Sequence, residues 1–474
     1  MKNLNFIKYI RTAIVTAIAI SALSSCENYL NYQPKGQRIP TELADYEPML
    51  RYEYGNLRFD CLQAAHLLND QMCTQSSLSY YPYYKANYNW EEETDRCYYN
   101  NSDETTYYAA YGGISTCNLI LEKVPLTTAT DKEKQEVMAY AKVLRAMHYY
   151  LVTNYYAAAY NPSTAATDRA VPYITSAEVN APYTQVTVKE IYDHMISDLT
   201  EALPYLPDFG TTILHQGKGA ALAMLARIHL TMMDYDKALD YANQALAIND
   251  KLYDWNEFYQ QNKEMIDNRE SYTAVQSPMS YKYVENYSFA HGSSSNSSRI
   301  KNMPIPRGDM FEDGDAYFYC NWKPRTVGAD SYHYGCTQGL INYNGLRTVE
   351  QYLIKAECLA RKNDITGAMA ALNAVRKTRI FAESYQPVGA KDVTEALTLI
   401  RQRKDNEMLF TIVPFADARR YNTENTYIAT RTFQKTVDGA MKTLSPTSHL
   451  WTLPFPLGAI ENHGNGSITQ NVSR

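Results

Sequence analysis

Residues 217–250, GKGAALAMLARIHLTMMDYDKALDYANQALAIND, repeat small and large apolar side chains at three- and four-residue steps. That rhythm admits little except two antiparallel helices joined by a tight turn. Leu222, Leu225, Ala226, Tyr235, Ala238, Ala245 and Leu246 fall at the spacing of a tetratricopeptide repeat. Ala226 and Ala238 let the helices approach, the leucines fill the seam, and Tyr235 sits at the turn. A second pair is legible at 349–376 through Tyr352, Ala356, Leu359, Ile365, Ala368 and Leu372, about 130 residues further on. A large insertion therefore separates the pairs, and no uninterrupted array is expected. Two more helices are expected at 133–157 and 187–206. Thr187 and Glu190 form a capping box, and Pro204 and Pro207 mark the stop. The fold class is mainly α: tetratricopeptide-like helix pairs carrying long irregular loop insertions.

The insertions differ in texture. Residues 71–106 include YYPYYKANYNW at 80–90, and 251–345 hold Trp255, Tyr281, Tyr283, Tyr287, a polar run at 291–299, Pro304, Pro306 and Trp322. Both read as loops and short strands. The chain has 43 Tyr against 12 Phe and 4 Trp, and ten of those tyrosines lie between 80 and 111. Tyrosine combines an aromatic face with a polar tip, which suits a surface both apolar and wet.

The N-terminus reads as an address. Lys2, Lys8 and Arg11 precede a short apolar run, 12–23, and then Leu23-Ser24-Ser25-Cys26, which resembles a bacterial lipobox. Residues 1–25 are expected to be a lipoprotein signal peptide, Cys26 the lipidated residue, and 26–474 one helical body. Two or three acyl chains hold such a body firmly on a membrane.

Cys61, Cys73, Cys97, Cys117, Cys320, Cys336 and Cys358 follow. Cys61–Cys73 or Cys320–Cys336 are open as disulfides in an oxidising compartment, whereas Cys117 and Cys358 lie in helical patterns as small core residues. With 45 basic against 51 acidic residues the formal net charge is −6, which argues against nucleic-acid binding. There is no HExxH, GxSxG or P-loop, and FEDGD at 311–315 lacks the ligand ladder of a calcium loop. No metal, cofactor or catalytic set is expected. Arg403, Glu407, Asp417, Arg419 and Arg420 read as ion pairs and helix caps.

In order along the chain, the segments resemble the SusD/RagB family of nutrient-binding outer-membrane lipoproteins. The lipobox comes first, then Asn118 to Glu122 and Leu144-Arg145-Ala146. The pair at 217–248 follows, and LRTVEQYLIKAECLARKNDITGAMAALNAVRKTR at 346–379. Glu407-x-x-Phe410, Asp417-x-Arg419-Arg420 and the closing Pro454-x-Pro456 with Gln470-Asn471 complete the series. Thr411-Ile412-Val413 departs from the family's frequent Glu-Gly-His. The resemblance implies an α-helical protein that binds oligosaccharides, less often peptides, without catalysis. It further implies a place on the outside of the outer membrane, over a SusC-like TonB-dependent transporter.

Sugar recognition needs flat aromatic faces flanked by amides, carboxylates and guanidinium groups. The first region offers Asn69, Asp70, Tyr80, Tyr81, Tyr83, Tyr84, Asn87, Tyr88, Asn89 and Trp90; the second offers Tyr281, Tyr283, Tyr287, Asn321, Trp322 and Arg325. The competing reading is that these rings pack the insertions onto the scaffold. A surface glycosidase is the least favoured alternative, since no stretch singles out a carboxylate pair.

Overall fold

The computed structural model describes residues 40–53, 55–101, 104–269, 275–291, 301–328, 330–424 and 431–473; Cys26 and the signal segment lie outside them. Nine helices carry the scaffold: α1 (Ala109–Lys123), α2 (Asp131–Tyr156), α3 (Val188–Ala202), α4 (Lys218–Thr231), α5 (Tyr235–Ile248), α6 (Thr348–Arg361), α7 (Ile365–Lys377), α8 (Val393–Glu407) and α9 (Val413–Asn422). Capping boxes start α2, from Thr130 and Glu133, and α3, from Thr187 and Glu190 as expected. The two repeat pairs turn by the same device. Met233 and Asn363 adopt left-handed backbone, at φ 62° and 64°. The next residues, Asp234 and Asp364, cap the following helices.

The two pairs, distant in sequence, are adjacent in space. Helix α5 packs on α6, so α1 to α6 form one continuous stack, with α7 and α8 against α6. Small residues make the central seam: Ala226, Ala238, Ala242 and Cys358 lie between Leu230 and Ile354. The side chain of Arg227 crosses it, donating to both oxygens of buried Glu350 at 2.7 and 2.6 Å.

The residues that carry the family resemblance are ties between elements. Arg145 on α2 donates to both oxygens of Asp198 on α3, at 2.8 and 2.7 Å, and to Asn118 on α1 at 2.7 Å. Arg420 donates twice to buried Glu357, at 2.8 and 2.9 Å, and Arg361 joins it at 2.9 Å. The Gln470 side chain pairs with the Phe455 backbone in both directions, and Asn471 donates to the Leu453 carbonyl. Of the 400–420 charges, Arg403, Glu407, Asp417 and Arg420 stand in buried ion pairs, whereas Arg419 donates to the Asn154 and Ala157 carbonyls at the C-terminal end of α2.

Three expectations need correction. Residues 71–106 are mostly short helices, Gln75–Tyr80, Pro82–Asn89 and Arg96–Tyr99, not loops and strands. The stretch contains no glycine, Thr74 and Asp95 cap two of the helices, and Pro82 opens the third at a position where its missing N–H costs nothing. The 251–345 insertion does carry a short antiparallel sheet (Met303–Pro304, Trp322–Val327, Asp330–Gly335), but it begins with a helix, Trp255–Asp267. The seven described cysteines are all free thiols. Cys61 donates to Asn344 at 3.1 Å and Cys336 to the Cys320 carbonyl at 3.3 Å, so neither expected pair is bridged. Cys117 and Cys358 are fully buried. Among the described residues no helix is long and apolar enough to cross a membrane.

Burial alone would raise the pKa of Glu357, but Arg420, Arg361 and Arg401 outweigh it and hold the carboxyl well below its usual 4.5. Its stabilising contribution is therefore full above pH 4.5 and is lost as pH falls toward the depressed folded value. Glu357→Gln is expected to lose about 3–5 kcal/mol in urea unfolding at pH 7, because it leaves buried guanidinium groups without their charge partner. The deficit should narrow as pH drops below 4.5, and a pH-independent deficit would contradict this assignment.

Candidate functional site

The helix Pro82–Asn89 places Tyr84 and Tyr88 four residues apart on one face, with Tyr81 a turn earlier. The rings form a row. Tyr81 and Tyr84 lie 5.3 Å apart, and His66 sits edge-on between Tyr84 and Tyr88, at 5.4 and 6.3 Å. The helix stops at Trp90, which adopts left-handed backbone at φ 54°. This conformation is unusual for a bulky residue and is pinned by the indole N–H, which donates to the Leu67 carbonyl at 2.8 Å. Trp90 continues the row edge-on to Phe433 at 6.5 Å, and Phe433 to Trp451 at 5.4 Å. Beside its outer end Tyr80 and Tyr81 are 76% and 57% exposed, whereas Trp90 is 4% exposed.

The inner end opens into a cleft of about 630 Å³. Asn69, Tyr88 and Trp90 form one wall, Pro304, Pro306 and Arg307 a second, and Arg431, Phe433 and Lys435 a third. The walls come from both sequence insertions and from a hairpin, Gln434–Val437 with Ala440–Thr443, near the C-terminus. That hairpin turns on Asp438-Gly439, both at positive φ, which is the requirement of a two-residue hairpin loop.

Lys435 lies across the aromatic wall, its ammonium 4.0 Å from the Tyr88 ring centre and 4.8 Å from that of Trp90. It donates to Asn69 Oδ1 at 2.6 Å and to the Tyr88 carbonyl. Burial pulls its pKa from 10.5 down to about 7. The two ring faces act the other way by favouring the cation. Arg307 and Arg431 share Asp70 at 2.9 and 2.8 Å. They also reach Asp405 at 3.2 and 3.5 Å.

The expected ligand residues therefore separate into groups. Tyr80, Tyr81 and Tyr84 stand at the outer part of the row, and Trp90 lines the cleft. Asp70 is buried behind the wall as the shared counter-ion of two arginines. Tyr83 and Asn89 are buried. Tyr283 and Trp322 belong to a separate core with Trp255, Phe311 and Tyr317, and do not reach the cleft. Trp322 is 0% exposed, with its indole N–H donating to the Lys301 carbonyl at 2.9 Å. It is a packing residue, because its neighbours Tyr317, Phe318 and Phe311 enclose it. Arg325 lies over the Tyr334 ring on the short sheet and is not among the residues lining the cleft. The sequence reading missed Arg307, Arg431, Phe433 and Lys435. Arg431, Phe433 and Lys435 alternate with exposed Thr432, Gln434 and Thr436, a period-two pattern ahead of Asp438-Gly439 that marks a hairpin.

Among the described residues no group of three or more His, Cys, Asp or Glu is placed to hold a metal ion. Within FEDGD, the carboxylate of Asp315 caps a helix and pairs with Arg403 at 2.6 Å. A recess of about 20 Å³ beside Asp405 and Asp417 is far smaller than the cleft.

Because its folded pKa is lowered, Lys435 destabilises the fold most below about pH 7, where a charged amine stays buried. The penalty is relieved as pH rises from 7 toward 10.5. Lys435→Met, which keeps the stem over the rings, is expected to raise the melting temperature at pH 6 and to raise it progressively less at pH 8 and 9. A melting temperature lowered equally at every pH would show that the amine's hydrogen bonds outweigh its burial.

Residues 28–230 match a SusD-like family model described as starch-binding and associating with the outer membrane. The fold is similar to that of a SusD superfamily protein from Bacteroides vulgatus, at TM-score 0.69 and 16% identity over 92% of this chain and 99% of that one. It is similar also to a putative sugar binding protein from the same organism, at 0.66 and 17%, covering 92% and 100%. A surface glycan-binding protein from Bacteroides uniformis follows at 0.62 and 15%, covering 90% and 98%. No curated protein matches the chain.

Proposed function

We propose that the chain, whose residues 28–230 match a SusD-like family model, is a cell-surface lipoprotein of the SusD/RagB kind that binds oligosaccharides and passes them to a SusC-like TonB-dependent transporter. The observation that carries the binding half is the row of rings from Tyr81 through Tyr84 and Tyr88 to Trp90, ending in a cleft large enough for sugar residues. Saccharide rings lay their C–H faces on such aromatics while hydroxyls find amides and guanidinium groups. Asn69, Gln434, Thr432 and Thr436 stand at the cleft for the latter role. Removal of residues 1–25 would leave 26–474 as one body anchored through Cys26, outside the membrane. The transporter half rests on the family.

Tyr81→Ala and Tyr84→Ala should each weaken oligosaccharide binding about tenfold, on the order of 1.4 kcal/mol, with an unchanged circular dichroism spectrum. Unaltered titrations in both variants would remove the row from the site, and reducing sugar released by the purified protein would refute the non-catalytic reading. Cys26→Ala should move the protein from the membrane to the soluble fraction; continued retention after carbonate washing would rule out the lipid anchor.

A further inference from the structure

The lining of the cleft is one-sided in charge. Arg307, Arg431 and Lys435 contribute to it, and no Asp or Glu does among the described residues, although acidic residues outnumber basic ones in the chain. The two carboxylates that answer this charge, Asp70 and Asp405, lie behind the wall and are shared between the two arginines. Three cations thus face two anions, and the remainder sits on Lys435. Its amine makes no ion pair among the described residues: its partners are an amide oxygen and a backbone carbonyl. Glu91 attracts it from further off but is paired with Lys85 at 3.5 Å.

We infer that this cleft selects anionic saccharides, those bearing carboxylate or sulfate groups, with Lys435 as the residue that reads the charge. The inference rests on the oligosaccharide-binding reading and narrows it to one ligand class. An ammonium buried beside neutral acceptors gains more from an incoming anion than an exposed lysine does, because the local dielectric is lower and no existing counter-ion has to be displaced. The burial that lowers the pKa of Lys435 is offset when an anion pairs with it. Pairing with that anion also lifts the amine from Tyr88 and Trp90, which bares both ring faces for the sugar that carries the charge. Charge recognition and stacking are coupled through a single side chain. Arg307 and Arg431, held in place by Asp70, complete a positive wall that an anionic glycan meets with charge-assisted hydrogen bonds and a neutral one only with weaker neutral acceptors.

The test uses the mature protein on an immobilised array. Neutral malto-, xylo- and manno-oligosaccharides are compared with anionic oligogalacturonides, chondroitin and heparin fragments and sialylated glycans. Hits are then titrated at two salt concentrations with wild type, Lys435→Met and Lys435→Arg. The expected result is binding to at least one anionic probe that weakens as salt rises, falls at least tenfold in Lys435→Met, and is largely kept in Lys435→Arg. Binding confined to neutral glycans would overturn this inference and leave the oligosaccharide reading standing. Anionic binding indifferent to Lys435→Met would overturn the role of Lys435, and no binding to any probe would overturn the oligosaccharide reading itself.

Discussion

Buried charge holds the second insertion to the scaffold. Arg379, just past the end of α7, donates to Glu285 in the insertion at 2.7 Å and to Glu407 at the end of α8 at 3.0 Å. Arg403 continues the chain, donating to Glu407 at 3.0 Å and to Asp315, back in the insertion, at 2.6 Å. Every one of these groups is almost wholly removed from water. Ion pairs in such a setting repay their desolvation only when each lone pair and proton is matched, so they tolerate one geometry and few others. That selectivity matters because Pro304, Pro306 and Arg307 belong to the same insertion, and the cleft exists only while they stand opposite Trp90.

The cleft is a composite of the same kind. Asn69 and Trp90, both in left-handed backbone, reverse the chain at either end of a short stretch and bring Leu67 and Tyr88 carbonyls inward. Asp70 then serves two arginines that arrive from 237 and about 360 residues away in sequence. The positions of the cationic groups are fixed by a residue that does not itself line the cavity.

Much of the scaffold was legible because helix packing leaves a period. The repeat pair at 217–250, the capping box at Thr187 and the buried ion pairs of 400–420 follow from spacing and from the cost of isolated buried charge. The insertions were less legible. Tyrosine density points to residues 80–111 but does not separate Tyr81, exposed, from Tyr83, buried, since the course of the short helix decides which side each ring takes. A tryptophan in a loop-like composition reads as exposed, whereas Trp322 is enclosed by Tyr317 and Phe318 from a short helix, Ala316–Asn321, that the sequence signals weakly, and by Phe311 from the segment before it. Lys435 carried no signal beyond hairpin alternation; its importance arises from what it meets.

Helices α5 and α6 touch although about a hundred residues intervene, and the two ends of that excursion are stitched together where it departs and returns. The Tyr352 hydroxyl donates to the Asp250 carbonyl at 3.1 Å, and the Asn286 backbone bridges to Arg347. A segment whose ends already meet can be lengthened, shortened or exchanged at an entropic cost that grows only with the logarithm of its length. The stack beneath would register the change chiefly at Arg379 and Arg403, whose partners Glu285 and Asp315 lie in the segment. Natural variants should therefore be free to rework one wall of the cleft as long as those two carboxylates stay, while the helices that carry it remain the same.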